Sequence, residues 1–170
     1  MTRFRLRFPV RQVARWAAAF SDPDDAGIER LAARARRRGC ITKADFLRLA
    51  AWKTSRSRRR VERNTESFVR AVTRTAMATP EERLRIEVLT LLDGVDWPTA
   101  SVILHFCHRE PYPVLDYRAL WSLGVEKPPA YNFPFWRDYT LACRSLAARA
   151  SCSMRELDRA LWQFSKEKQA

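Results

Sequence analysis

Two stretches of this chain place reactive or recognition groups at telling positions. In PYPVLDYRALWSLG a lone carboxylate, Asp116, follows a short apolar extended run and precedes a short helix. An Asp so placed serves first as an N-cap, accepting a hydrogen bond from a backbone N–H two or three residues on. In LLDGVDWPTASVILHF, residues 91–106, one of only four glycines in the chain separates two apolar helical runs. Gly94 there can take a positive φ and let another backbone approach closely. Pro98 suits the first turn of the second helix, where its missing N–H has no intrahelical partner. The unpaired amides of the turn and helix start, aided by the helix dipole, form a ready site for a phosphate. An ordinary αα-hairpin that binds nothing fits the same residues.

A third group, His105, Cys107 and His108, has metal-binding side chains. On one helix these residues do not share the i, i+4 face that a ligand pair needs, so no metal site is expected. Cys40, Cys107, Cys143 and Cys152 form no CxxC pair and read as reduced thiols of a cytosolic protein. KTSRSRRRVERN, with Lys53, Arg56, Arg58, Arg59, Arg60 and Arg63, is suited to clamping phosphates, and equally to being a solvated helix face.

The whole chain favours a polyanionic partner. Its 170 residues carry a formal net charge of +13, and clustered Lys and Arg gain affinity by releasing condensed counterions. With 46% hydrophobic residues and six tryptophans the chain should fold. MTRFRLRFPV has no continuous apolar core, and no stretch approaches the ~20 apolar residues of a membrane span. A cytoplasmic, nucleoid-associated monomer without membrane contact is therefore expected. Nothing in the composition marks a domain boundary, so one domain over residues 1–170 is expected.

Helical periodicity must position these groups. Helices are expected over Val10–Phe20, over Asp22–Arg38 opened by Ser21, Asp22 and Pro23, and over Thr42–Trp52. A long helix ending before Pro80 should follow the basic stretch, then others over Glu81–Leu92, Pro98–His108, Asp116–Leu123 and Phe135–Arg149. Ser153 and Glu156 form a capping box for the last helix. The alternating Arg-Phe-Arg-Leu-Arg-Phe could be a strand, but one strand makes no sheet, and the fold is expected to be all-α.

Together, the two motifs resemble the helix-hairpin-helix (HhH-GPD) DNA glycosylases, which include endonuclease III and the adenine and oxoguanine glycosylases. That pattern runs leucine, Gly-Val-Gly and an Ala-containing helix start, then an apolar pair, an Asp and a short helix. Here it reads Leu92, Gly94, Val95, Thr99, Ala100, then Val114, Leu115, Asp116, Arg118 and Leu120, with Asp96 at the second glycine. The close match spans residues 84–124, the hairpin about 84–108, and the compatible helical core 41–124.

The resemblance implies a compact multi-helix glycosylase fold acting on double-stranded DNA, with the target base flipped from the stack. Gly94, Val95, Asp96, Thr99 and Ala100 would hold a phosphate, with Lys53, Arg56, Arg58, Arg59, Arg60 and Arg118 as further DNA contacts. A monovalent cation on the turn carbonyls belongs to the same family picture. Asp116 would be catalytic, stabilising the oxocarbenium character of the sugar as the N-glycosidic bond breaks, and orienting or deprotonating water. Bifunctional relatives carry a Schiff-base lysine where this chain has Pro98, which implies a monofunctional enzyme. The four-cysteine iron–sulfur loop of the endonuclease III branch is absent, so no cluster and no other cofactor are expected.

Trp52 is read as core or wedge, and Tyr131, Phe133, Phe135 and Trp136 as loop-docking residues or a base pocket. Two other functions fit the charge: a non-catalytic DNA-binding module in which Asp116 is only a cap, and an RNA-binding or ribosome-associated helical protein.

Overall fold

A computed structural model describes residues 3–21 and 25–169. Among them are α1 (Val13–Ala19), α2 (Asp25–Arg38), α3 (Lys43–Lys53), α4 (Arg58–Val61) and α5 (Glu66–Ala78). These are followed by α6 (Glu82–Glu87), α7 (Trp97–Cys107), α8 (Tyr117–Ser122), α9 (Phe133–Ala150) and α10 (Met154–Lys168). No strand occurs among the described residues, so the fold is all-α. No helix among them is long and apolar enough to cross a membrane. The expected opening of the second helix at Asp22 and Pro23 lies outside the described residues.

The chain divides into two compact units, one made of Met1–Asp22 with Pro111–Ala170 and the other of Pro23–Glu110. The hairpin falls in the second unit and Asp116 in the first. The boundary at Glu110 and Pro111 runs through the 84–124 segment that carries the resemblance.

In the Pro23–Glu110 unit, α7 is the central helix, with α2, α3 and α6 packed on it. Seven of its residues from Thr99 to Phe106, together with Cys107, are buried on nearly every face, as suits a helix enclosed by others. It starts one residue before Pro98 because Asp96 caps it. Thr42 and Thr65 cap α3 and α5 through side chains that accept from Asp45 N–H and Phe68 N–H.

The expected helix over Glu81–Leu92 is α-helical only to Glu87, then tightens into a 3₁₀ turn over Val88–Leu91. Residues three apart eclipse in that geometry. Leu89 and Leu92 therefore enter the core together, and Leu91 stands 63% exposed.

In the other unit, α10 packs against α1, α8 and α9. Phe164 is the aromatic hub, with ring centroids 4.6 Å from Phe8, 5.3 Å from Trp16 and 5.8 Å from Trp121. The alternating N-terminal segment is extended, with Phe4, Leu6 and Phe8 less exposed than Arg3, Arg5 and Arg7. It pairs with a helix end: Arg5 N–H donates to Leu123 C=O at 2.8 Å and Arg7 N–H to Ser122 C=O at 2.9 Å. Asn132 starts α9 two residues earlier than expected by accepting from Phe135 N–H, and the Ser153–Glu156 capping box is present.

Candidate nucleic-acid interface

The hairpin turn is closed by Val95 N–H donating to Leu92 C=O at 3.0 Å, with Gly94 at φ +79°. A Cβ on Gly94 would lie 2.9 Å from Arg60 Cβ and from Val61 Cγ1, and 3.0 Å from the Val61 nitrogen. The glycine thus serves two needs, a left-handed backbone and a close approach to α4. Beside it the buried Asn64 joins the two segments. Its Nδ2 donates to Val61 C=O at 2.9 Å and Asp93 C=O at 3.0 Å, and its Oδ1 accepts from Asp93 N–H at 2.9 Å. The basic stretch and the hairpin are one structure.

That structure presents cations to solvent. Arg56, Arg59, Arg60 and Arg63 are exposed, and their side chains form no ion pair among the described residues. Arg58 pairs with Glu62 at 3.0 Å one helical turn on. Lys53, at the end of α3, is half-buried. Trp52 packs edge-on against Phe106 with centroids 5.0 Å apart, the core arrangement.

The amides expected to take a phosphate are partly engaged within the chain. Asp93 N–H is held by Asn64, Val95 N–H closes the turn, Ala100 N–H bonds to Asp96 C=O, and Pro98 has none. Those of Gly94, Asp96 and Thr99 make no hydrogen bond among the described residues. The side chains of Val95, Thr99 and Ala100 are buried, so only their backbone is available to a ligand. Asp96 is not left-handed as the glycine pattern would have it; its φ is −115°, and its carboxylate accepts from Trp97 N–H at 2.7 Å. A fixed negative group therefore sits where the helix dipole favours an anion.

Asp116 caps α8, its Oδ1 accepting from Arg118 N–H at 2.9 Å, and its side chain is half-buried. The extended run before it is anchored by the Tyr139 hydroxyl, which donates to Val114 C=O at 2.7 Å. Burial pushes the Tyr139 phenol well up, which keeps it a neutral donor. The Arg118 guanidinium lies 5.1 Å from the Tyr117 ring centroid and 5.4 Å from that of Trp162.

Phe135 and Trp136 are buried, and Trp136 stacks on Tyr112 with centroids 5.4 Å apart. Tyr131 stacks on Phe135 at 5.8 Å, so this aromatic group docks α9 and the loop before it onto the core. The four cysteines are free. Burial pushes the Cys107 thiol up to about 12. No group of three or more His, Cys, Asp or Glu among the described residues could hold a metal ion.

Sequence reasoning missed Asn64, whose role depends on a partner 29 positions away, and the exposure of Leu91. No protein-family model, curated protein or solved structure matches the chain.

Proposed function

We propose that this protein is a monofunctional DNA N-glycosylase that removes a damaged or modified base from duplex DNA. The observation that carries the DNA-binding half of this reading is the docking of the basic segment on the Gly94 turn. Arg60 packs against Gly94 and Asn64 bonds to Asp93, so the turn and the exposed arginines of residues 56–63 belong to one local structure. The catalytic half rests on the family resemblance and on Asp116. A half-buried carboxylate held by Arg118 N–H has a fixed position, as stabilising a developing oxocarbenium ion requires. Pro98 provides no amine for a Schiff base, so the product would be an abasic site in an intact backbone.

A non-catalytic DNA-binding module is the second reading. It is favoured by the N-cap bond of Asp116, which already gives that carboxylate a structural use.

One experiment separates them. Wild type and Asp116→Asn are incubated with duplexes that each carry a single damaged, mismatched or modified base, and alkali-labile sites are scored. Asparagine is as good an N-cap, so the variant keeps α8. Product from wild type alone supports the glycosylase and identifies its substrate. Equal product from both removes Asp116 from the mechanism, and duplex binding without product from either leaves the binding module.

A further inference from the structure

We propose that the groove between the first turn of α5 and the 3₁₀ turn preceding the hairpin holds an unpaired nucleobase. The groove is shallow and open to solvent, about 650 Å³ in volume, with Arg63, Asn64, Phe68, Leu91 and Asp93 in its lining. Of the five large apolar side chains that stand exposed among the described residues, two, Phe68 and Leu91, line this one groove. Leu91 stands seven residues after the exposed Leu84 and two after the buried Leu89, on the outer side of this segment.

The chemistry of the lining selects the occupant. Phe68 offers a π-face on which any base can stack, and Leu91 a second apolar surface. Asp93 brings a carboxylate, which repels a phosphate but accepts from the exocyclic amine of a base. Arg63, with no ion pair among the described residues, is the phosphate-seeking group of the groove, and the exposed Arg59 and Arg60 add positive charge to the same segment of chain. A nucleotide would therefore lie with its base between Phe68 and Leu91 and its phosphate toward Arg63. An apolar protein helix would match the two hydrophobic side chains but leave the arginines facing no opposite charge.

Asn64 forms part of this groove and also holds Asp93, so the base site and the hairpin turn share a rigid wall. The inference rests on the duplex-binding part of the proposed function and adds that an unpaired nucleotide beside the bound phosphate strengthens the complex.

The test compares wild type, Phe68→Ala, Leu91→Ser and Phe68→Tyr on a fully paired duplex and on the same duplex with one bulged nucleotide. Expected is a wild-type preference for the bulged duplex of about tenfold, the scale of one base–aromatic stack. The preference should vanish in Phe68→Ala and Leu91→Ser, persist in Phe68→Tyr, and leave affinity for the paired duplex unchanged. Both positions are exposed, and equal unfolding midpoints would confirm intact folds. A preference unchanged in the two disruptive variants, or absent from wild type, overturns the groove and leaves duplex binding standing. No binding to either duplex overturns the DNA reading and the groove with it. A wild-type dimer that Leu91→Ser dissociates would show that a second copy covers the groove, which also overturns the proposal.

Discussion

The carboxamide of Asn64 forms a reciprocal pair with the backbone of Asp93, donating to its carbonyl at 3.0 Å and accepting from its N–H at 2.9 Å. Both functions of an amide side chain are needed, and no other residue type supplies them in that shape. Asn64→Ala should leave the part-buried N–H and C=O of Asp93 without this partner and cost ~1–2 kcal/mol, read from denaturant unfolding. Asn64→Asp should keep one bond and fall between the two. Equal stability of all three proteins would show that the pair contributes nothing.

Gly94→Ala should be among the most damaging small changes in the hairpin. A left-handed residue with a Cβ costs about 1–2 kcal/mol, and here the added carbon also meets Arg60 and Val61. The expected result is a loss above ~2 kcal/mol together with weaker duplex binding, measured by unfolding and by titration. Loss of stability with full DNA affinity would separate the turn from the interface.

Asp96→Asn should tighten duplex binding several-fold at low salt while leaving stability nearly unchanged. The amide oxygen can still accept from Trp97 N–H, and the charge beside the proposed phosphate site is gone. Asp96→Ala should show the same gain in binding with a stability cost of about 1 kcal/mol. Affinity that falls in Asp96→Asn would place the carboxylate in a favourable contact instead.

Replacing Arg59, Arg60 and Arg63 together by Gln should weaken binding to all duplex sequences alike. The dependence of log K on log salt should become shallower by roughly 0.9 for each phosphate that the variant no longer neutralises. An unchanged slope would mean that these arginines face solvent in the complex.

Acid stability should depend in part on the last helix. The N–H and hydroxyl of Ser153 hold the Glu156 carboxyl below its ordinary value. A lowered folded value gives stability that is complete above the ordinary glutamate value and is lost as pH falls through the folded one. Glu156→Gln keeps a capping box without the charge and should flatten that acid limb of unfolding midpoint against pH. An unaltered limb would assign it to other carboxylates.

The parts of this protein that were legible in the sequence are those set by near neighbours. The Ser153–Glu156 box, the cap at Asp116, the turn at Gly94 and the all-α fold each follow from residues within a few positions of one another. Asn64 meeting Asp93 and the pairing of Arg5 with Leu123 join positions far apart, which periodicity does not report. The exposure of Leu91 was within reach of helical spacing: it stands seven residues after Leu84, also exposed, and two after the buried Leu89. Asp96 stands where the family pattern has a glycine, yet its side chain has a local use as a cap.

The unit built from two separated segments has a temporal consequence. Phe8 and Trp16 leave the ribosome well before their partner Phe164. Pro23–Glu110 is contiguous, and domains fold as units during translation. It can complete its core while Phe8 and Trp16 still wait for α10.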